Sequence, residues 1–360
     1  MAVDLRKANE LFHDVESDRY DSKWGICYDM ENAARVRHKF EMLLGGPFPH
    51  VDKLLEVGCG TGYVGLNLCL YEGLVGELHA CDISQGMVDA CARNAVELGV
   101  KVTGRQSELE RLDYPDGEFD MVIGHAILHH IPDINNAFSE IFRVLKPGGI
   151  CMLAGEPTRV GDILGRLARR GTNTAVRIYA GLGGYFGGVR AQLRPVCTPG
   201  EMDREIQEFE MVVDIHTFRP PEVCRAARSV GFAEARFESE ELLSSFVGWM
   251  TRTVENTLCE ENLTFRWRNW SYRTYLRLNA LDERIYPYLP SSLFYNMLLY
   301  MRKPGALSGG RPLAGRTNAG GAAATGWRGT PDSSSLTACI ARGTYDRATA
   351  SSSSSSSTPA

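Results

Sequence analysis

The stretch from Leu54 to Tyr63 limits what this chain can fold into more than any other. It reads Leu-Leu-Glu-Val-Gly-Cys-Gly-Thr-Gly-Tyr, so an apolar run ends in three alternate glycines, and a helix-compatible apolar stretch follows. This order predicts a buried strand over 53–57, a tight turn and a helix over 63–72. Such a turn lets a ligand approach the backbone, and the helix N-terminus favours a carboxylate or phosphate.

The glycine spacing separates two classes of ligand that use this kind of turn. A dinucleotide site requires G-x-G-x-x-G, and Tyr63 occupies the place of its last glycine. The next apolar run ends at Asp82, 20 residues after Gly62. An acid at that place accepts hydrogen bonds from two ribose hydroxyls, unless it caps the helix predicted over 85–98. Ser84 can fill that cap, which leaves Asp82 to the ligand.

Two motifs further along the chain extend the pattern. The run Phe119-Asp120-Met121-Val122 leads to Leu128-His129-His130-Ile131-Pro132-Asp133, and a Lys-Pro-Gly-Gly turn follows at 146–149. Together with the E-x-G-x-G-x-G string at 56–62, these motifs resemble the class I S-adenosylmethionine-dependent methyltransferases. The resemblance is to the small-molecule branch, which includes the ubiquinone and menaquinone methyltransferases. It is close over 50–156 and looser over 216–304.

The resemblance implies S-adenosylmethionine as the cofactor, and the lack of a C-x-x-C pair predicts no metal site. It carries over a cofactor site consisting of Glu56, Gly58, Cys59, Gly60, Thr61, Gly62, Asp82, Ile83, Met87, Glu108, Leu109 and His125. In this family the acid at position 108 contacts the adenine amino group. The alternative for Glu108 is a solvated loop charge.

The predicted fold is α/β, a Rossmann-like, mostly parallel seven-stranded sheet with helices on both faces. The strands are expected at 53–57, 77–82, 101–105, 121–125, 150–156, 235–238 and 293–301. Strands that alternate with helices form parallel units whose ligands bind at the carboxyl ends of the strands. Helices are expected over 85–98, 134–145 and from the prolines at 220–221 to about 230.

The domain prediction has three parts. An N-terminal helical cap covers 1–50, and Tyr20, Trp24 and Tyr28 either pack it on the core or help form the substrate pocket. The methyltransferase domain covers 51–304, with lid insertions at about 157–215 and 241–289. The tail, 305–360, contains 31 Gly, Ala and Ser residues and is expected to be disordered.

Composition excludes several classes of function. Residues 1–304 carry 34 basic and 42 acidic side chains, which disfavours a nucleic-acid partner. Ten cysteines without a C-x-x-C pair predict reduced thiols and a cytoplasmic location. The N-terminus has no apolar run, and no apolar stretch reaches 18 residues, so neither a signal peptide nor a membrane span is expected.

The candidate catalytic residues are the histidines expected near the cofactor. His125 ends the predicted fourth strand, and His129 and His130 follow at once, so at most one of that pair points into the pocket. Each is a candidate general base, because histidine titrates near neutrality, and each has the alternative of packing or contacting the cofactor. Glu156 is a further pocket candidate, whereas His216 is expected to begin a helix.

The functional prediction is methyl transfer to oxygen or carbon of a small, hydrophobic acceptor, such as a natural product, quinone or lipid. The aromatic insertions favour this acceptor unless they only close their own core. Five arginines between 159 and 177 either meet an anionic substrate or form a solvated helix face, which is favoured. The alternative function is a module that binds S-adenosylmethionine without transferring its methyl group. The oligomeric state is not predicted.

Overall fold

The computed structural model describes residues 4–183, 216–258 and 263–305. A seven-stranded sheet runs through this part of the chain, formed by β1 Val51–Val57, β2 Val75–Asp82, β3 Val102–Gln106, β4 Phe119–His125, β5 Leu145–Pro157, β6 Glu234–Glu240 and β7 Asn296–Arg302. The strand order is β3-β2-β1-β4-β5-β7-β6, and β7 runs antiparallel to both of its neighbours. The predicted Rossmann-like, mostly parallel sheet is confirmed.

Ten helices accompany the sheet in the described ranges. They are α1 Leu5–Glu16, α2 Tyr20–Trp24, α3 Met30–Leu44, α4 Tyr63–Cys69, α5 Gln85–Leu98, α6 Ile134–Val144, α7 Arg159–Gly183, α8 Pro220–Val230, α9 Leu243–Thr257 and α10 Phe265–Ile285. Short 3-10 turns cover Leu128–His130, Tyr286–Tyr288 and Ser291–Leu293. Asp29, Ser84 and Asp133 cap α3, α5 and α6, since each side chain accepts a backbone N–H of the first turn.

Two hydrophobic cores lie on opposite faces of the sheet. Successive side chains of β1 alternate between the faces, so Leu54 joins Phe40 in one core and Leu55 joins Phe138 in the other. Helices α3, α4 and α5 contribute to the first core, and α6 and α8 to the second. This double cover leaves the carboxyl ends of β1, β2 and β4 as the edge where a ligand binds.

Three predicted boundaries are wrong by three residues or more. The helix predicted over 63–72 ends at Cys69, ahead of a turn in which Gly73 has a left-handed φ of 72°. The 145–149 segment, predicted as a turn, lies inside β5, where the register with β4 shifts between Phe119 and Met121. The seventh strand begins at Asn296 rather than 293, because the preceding residues form a 3-10 turn.

Helices α7, α9 and α10 lie in the two predicted lid insertions and are called the lid helices. The first follows β5, and the other two lie between β6 and β7. Contacts join α7 to α9 and α9 to α10. The first insertion contains a glycine-rich piece at 178–189, which is helical as far as Gly183. The remainder of that first insertion, 184–215, and the predicted tail from 306 lie outside the described residues.

Six cysteines in the described ranges are free thiols, and five of these six are buried. Cys27 is disulfide-bonded, so the prediction of reduced thiols is wrong at this residue. In the same ranges no helix combines the length and apolarity that crossing a bilayer demands.

Candidate active site

The glycine loop, residues 58–62, joins β1 to α4 at the carboxyl edge of the sheet. Gly58 and Gly60 both have a left-handed φ, 57° and 50°. A Cβ at Gly58 would lie 2.2 Å from the Cδ1 of Ile127, so the backbone and the packing both require glycine there. A Cβ at Gly60 would meet the Tyr20 ring at 3.9 Å. The loop is therefore open at its middle glycine, where a ligand can approach.

Glu56 binds the backbone at the point where the glycine loop ends and α4 begins. It is buried, and its Oε1 and Oε2 accept the N–H groups of Val64 and Gly65 at 3.0 and 2.9 Å. These are free donors at the N-terminus of α4, so the carboxylate fixes the position where the helix begins. Burial raises the pKa of Glu56 to about 7, although both hydrogen bonds oppose the shift. Glu56 thus supports the loop and does not line the cleft above it.

Asp82 connects the glycine loop to the end of β2. Its Oδ2 accepts the N–H of Gly60 at 2.9 Å, and its Oδ1 accepts the N–H of Ser84 at 3.0 Å. Ser84 caps α5 by accepting the N–H of Met87 at 3.0 Å, as the sequence suggested. Burial raises the pKa of Asp82 to about 6. The carboxylate is therefore oriented by backbone donors, and its remaining lone pairs can accept further hydrogen bonds.

A cleft opens beside these two residues. It encloses about 720 Å³ of space free of protein atoms, counting its open mouth. Residues from four neighbouring segments of the sheet edge line it: Gly58, Gly60, Cys81, Asp82, Ile83, Ser107, Glu108, Leu109, His125, Ala126, Ile127 and His130. The cleft therefore follows the carboxyl ends of the strands, as the fold requires.

Helix α1 lies along the mouth of this cleft. Arg6, Asn9 and His13 face into it, together with Tyr20 of α2. The Nε and Nη2 of Arg6 donate to Glu110 at 2.8 and 2.9 Å, which fixes the first turn of α1.

Asp14 fixes the other end of α1. It accepts the Ser84 hydroxyl at 2.5 Å and the N–H of Gly86 at 3.0 Å. Sequence reasoning predicted the helix but missed these polar contacts. Arg6 and Asp14 meet partners 70 to 104 residues away, and no local motif indicates them.

The aromatics predicted in the N-terminal region serve different roles. Tyr28 donates its hydroxyl to the carbonyl oxygen of Thr61 at 2.7 Å and so packs this region on the glycine loop. Tyr20 lines the cleft. Trp24 is 39% exposed, and the Arg252 guanidinium of α9 lies 5.1 Å from its ring centroid.

Glu156, at the end of β5, is fully buried beneath the 3-10 turn at 128–130. Its Oε1 accepts the N–H groups of Ile127 and Leu128 at 2.8 Å each. Its Oε2 accepts the N–H of His129 at 3.2 Å and pairs with the Nδ1 of the same histidine at 2.9 Å. This contact favours the tautomer with hydrogen on Nδ1 and Nε2 as the acceptor. Glu156 is therefore a positioning residue rather than part of the cleft lining.

His125 occupies the end of β4 and lines the cleft. Its ring packs edge-to-face on Tyr63, with centroids 5.4 Å apart. Desolvation lowers the pKa of His125 to about 3, and the charges of Lys39 and His129 act in the same direction. The ring is neutral at physiological pH and is a weak base there.

The structure divides the predicted site residues into two groups. The cleft is lined by Gly58, Gly60, Asp82, Ile83, Glu108, Leu109, His125 and His130. The residues that do not line it are Glu56, Cys59, Thr61, Gly62, Met87 and His129. Those in the second group lie behind the lining: Gly62 caps α4, and the Thr61 carbonyl accepts Tyr28 and Asn94. The motif thus includes residues that shape the cleft as well as residues that face it.

The residues of the cleft fit an adenosine-containing cofactor. Asp82 offers an oriented carboxylate for ribose hydroxyls, and Gly58 and Gly60 leave the backbone open. Ile83 and Leu109 offer apolar surface for a base, and the Glu108 side chain, 49% exposed, lies at the rim beside Arg6. Over the described ranges, no three His, Cys, Asp or Glu side chains are grouped so as to hold a metal ion.

Comparisons with known proteins agree with this geometry. Residues 55–153 match a family model described as a methyltransferase domain. Sterol 24-C-methyltransferase of Eremothecium gossypii is 27% identical over 158 residues, which cover 41% of this chain and 42% of that protein. Demethylmenaquinone methyltransferase of Symbiobacterium thermophilum is 34% identical over 110 residues, covering 29% and 44%. The chain spans less than half the length of these two curated relatives.

Among solved structures, a complex of phosphoethanolamine N-methyltransferase 2 from Haemonchus contortus with S-adenosylhomocysteine matches with a TM-score of 0.52. The match covers 84% of this chain and 61% of that one at 16% identity, so it shows the fold alone. Residues 55–153 thus match a methyltransferase domain, and the sheet order and glycine loop agree with the class I type that the sequence resembles. S-adenosylmethionine is the cofactor of this domain, and the similarity is to small-molecule methyltransferases.

Proposed function

We propose that this chain transfers the methyl group of S-adenosylmethionine to an oxygen or carbon of a small-molecule acceptor. The observation that carries the proposal is the contact between Asp82 and the Gly60 N–H, 2.9 Å long, beside an open cleft. It supports Asp82 as the ribose-binding residue. Ile83 and Leu109 would flank the base, and Glu108 would meet its amino group.

The chemistry divides between the cofactor and the chain. When bound, S-adenosylmethionine supplies a methyl group that its sulfonium has already activated. The chain has to hold the acceptor atom in line with that methyl group and keep water away. A general base is required only where the acceptor carries a proton at working pH.

We propose a different role for each of the three histidines. His130 lines the cleft and packs against His13 of α1, with ring centroids 5.5 Å apart, which supports it as the first candidate base. His129 is oriented by Glu156 and acts, in this proposal, by holding the turn that carries His130. The low pKa of His125 favours a role as a neutral wall of the cleft.

The acceptor site in this proposal lies in the same cleft, beside His125 and His130. Lys39 of α3 lies close enough to His125 to lower its pKa, and its Nζ is 2.6 Å from Glu240 Oε1. The Tyr275 hydroxyl donates to Glu241 at 2.7 Å. These polar groups are paired with one another, so the polar side of the α3 region behind His125 is internally satisfied.

The acceptor is proposed to be hydrophobic. The names of the two relatives, a sterol and a demethylmenaquinone methyltransferase, support this class. The tryptophans of the lid helices do not, because they contact other aromatic rings and Trp270 is 51% exposed. Trp249 contacts Tyr295 at 5.6 Å, and Trp267 contacts Trp270 at 5.2 Å between centroids.

The proposal also includes the organisation of the whole chain. Residues 1–50 form the cap, 51–304 the catalytic domain with its two insertions, and 305–360 a tail without an assigned function. A cytoplasmic location and the absence of nucleic-acid partners belong to the same proposal. The acidic balance of residues 1–304 supports the second of these points.

The test follows the labelled methyl group of S-adenosylmethionine into a panel of sterols, quinones, polyketides, peptides and RNA. The proposal expects a labelled small product and equal formation of S-adenosylhomocysteine. The Asp82→Asn variant should lose at least about ten-fold in kcat/KM, and the exposed control Asp89→Asn less than about two-fold. Turnover on peptides or RNA alone would contradict the proposal. Tight cofactor binding without any turnover would favour the non-catalytic module.

A further inference from the structure

The lid helices carry a charge opposite to that of the whole chain. Residues 159–183, 243–258 and 263–285 contain 11 arginines and four acidic side chains, whereas the chain as a whole has a net charge of -5. Charge of one sign concentrated in one region attracts a partner of the opposite sign. The lid helices therefore favour an anionic partner that the rest of the surface disfavours.

Helix α7 has an inner face that is already covered. A Cβ at Gly161 would lie 2.4 Å from the Cα of Tyr295, and a Cβ at Gly165 would lie 3.3 Å from the Trp249 ring. Ala168, on the same face, is buried. The small residues of this face therefore pack on α9 and on the segment before β7, so the opposite face points outward.

The outer face of α7 combines two stripes. Val160, Ile163, Leu167 and Ile178 are 37%, 44%, 59% and 56% exposed, and their spacing places them on one line along the helix. Four arginines, Arg159, Arg166, Arg170 and Arg177, form a second line, about 80° away at 100° per residue. An apolar stripe with a basic stripe at its flank is typical of helices that lie in the plane of a membrane surface.

The apolar stripe continues beyond the helix. Val160 and Ile163 also line a groove of about 990 Å³, counting its open side, together with Phe218 and Pro220. Two more arginines of the same groove, Arg219 and Arg225, have side chains that are 59% and 71% exposed. The combined surface of α7 and this groove is called the α7 face. It brings apolar side chains together with six arginines, three of which pair with the carboxylates of Asp162 and Glu222.

We infer that the α7 face docks on an anionic lipid bilayer, which goes beyond methyl transfer and does not depend on the acceptor. The apolar stripe extends roughly 27 Å from Val160 to Ile178, which suits a flat surface better than a single peptide anchor. Arginine side chains at its flank reach lipid phosphates while their stems cover apolar surface. A solvated helix face, the simpler reading, does not account for four exposed aliphatic side chains in one line.

The test is cosedimentation of the full chain with two kinds of vesicle. One kind is pure phosphatidylcholine, and the other contains about one third phosphatidylserine. The α7 face predicts binding to the second kind at least about ten-fold tighter, and weaker binding as salt rises. The affinity of the double variant Arg170→Gln/Arg177→Gln for the phosphatidylserine vesicles should fall about 30-fold. Each arginine near an anionic surface contributes about 1 kcal/mol.

The matched control removes the same charge from another exposed surface. Arg93→Gln/Lys101→Gln, on α5 and at the start of β3, should change vesicle binding by less than about two-fold. Leu167→Gln, which keeps the charge, should weaken binding by about five-fold, because the apolar stripe also contributes. Unchanged thermal unfolding of every variant, and unchanged titration with S-adenosylhomocysteine, would separate these effects from misfolding and from loss of the cofactor site.

Three outcomes would overturn the inference. The first is no binding to phosphatidylserine vesicles, and the second is equal binding to both kinds of vesicle. The third is an equal loss in the α7 and control variants. A dimer in sedimentation velocity that Leu167→Gln dissociates, without vesicle binding by the wild type, would assign the α7 face to a second copy of this chain instead.

Discussion

Glu156 in the cofactor half and Asp282 in the lid helices are buried carboxylates with the same kind of hydrogen bonding. Glu156 accepts three consecutive backbone N–H groups and a histidine nitrogen. Asp282 accepts the N–H groups of Leu242, Leu243 and Ser244 and the Ser244 hydroxyl, over 2.6 to 3.0 Å. Each holds a turn of backbone that lacks partners of its own.

The two carboxylates differ in where the backbone that they bind lies in the structure. The turn on Glu156 carries Ile127 and His130 into the cofactor cleft. The turn on Asp282 begins α9 and joins it to α10, far from that lining. A buried carboxylate that accepts consecutive N–H groups therefore shapes the cleft in one half, whereas in the other half it only joins two lid helices. Substitution of Glu156 should therefore lower stability and cofactor affinity together, whereas substitution of Asp282 should lower stability alone.

The largest effect is expected from Glu156→Ala. The substitution leaves three buried N–H groups without an acceptor and should lower the free energy of unfolding by about 4 kcal/mol. Urea denaturation measures this, and calorimetry should show S-adenosylhomocysteine affinity falling in parallel. Glu156→Gln, which keeps one acceptor oxygen, should lie midway. Full stability in the alanine variant would show that the turn does not depend on this carboxylate.

Asp282→Ala should cost about 3 kcal/mol in the same denaturation experiment, because the start of α9 loses its acceptors. Affinity for S-adenosylhomocysteine should stay within about two-fold of the wild type, since none of its partners lines the cleft. Calorimetry on the folded variant checks this. A ten-fold loss of affinity, on the order of that expected for Glu156→Ala, would erase the proposed difference between the two halves.

Glu56 provides a pH test within the cofactor half. Its pKa, about 7 in the folded chain, is above the ordinary value of 4.5, so the folded state holds this proton more tightly than the unfolded state. The resulting stabilisation is complete at low pH and is lost as the pH rises from about 4.5 through 7. Between pH 5 and pH 8 the loss should be about 2 kcal/mol, and Glu56→Gln should remove that slope. An equal slope in wild type and variant would rule out Glu56 as its source.

Asp82 should make cofactor affinity depend on pH. With a pKa of about 6 in the folded chain, its carboxylate is ionised at pH 7 and mainly protonated at pH 5. Ribose hydroxyls donate to the ionised form, so S-adenosylhomocysteine affinity should fall about ten-fold between these pH values. Asp82→Asn should bind weakly at both. A wild-type affinity that does not change over this range would argue against contact between Asp82 and the ribose.

The two halves also differ in how far the sequence predicts them. In the cofactor half, Glu56 and the N–H groups it binds are eight and nine residues apart, and the strand, turn and helix follow one another in the sequence. Local patterns are therefore sufficient to predict the sheet and the carboxyl ends of β1, β2 and β4. Even there, the motif did not separate Asp82, which faces the cleft, from Glu56, which lies beneath it.

The lid and the closure of the cleft depend on contacts over long distances in sequence. Asp282 caps a helix that starts 39 residues before it, and Arg6 reaches Glu110 across 104 residues. Side chains of this kind look like ordinary surface charges in the sequence. The two alternatives for the aromatic residues of the lid stayed open for a related reason, because a Trp that packs on Tyr295 cannot be distinguished by composition from one that lines a pocket.

The most direct test of the central claim is calorimetric titration of S-adenosylhomocysteine into the wild type, Asp82→Ala and the exposed control Asp89→Ala. We expect binding to the wild type and the control, and a loss of about ten-fold or more in Asp82→Ala, equivalent to about 1.4 kcal/mol of hydrogen bonding. Equal affinity in all three proteins, or no binding to a folded wild type, would contradict the assignment of this cleft to the cofactor.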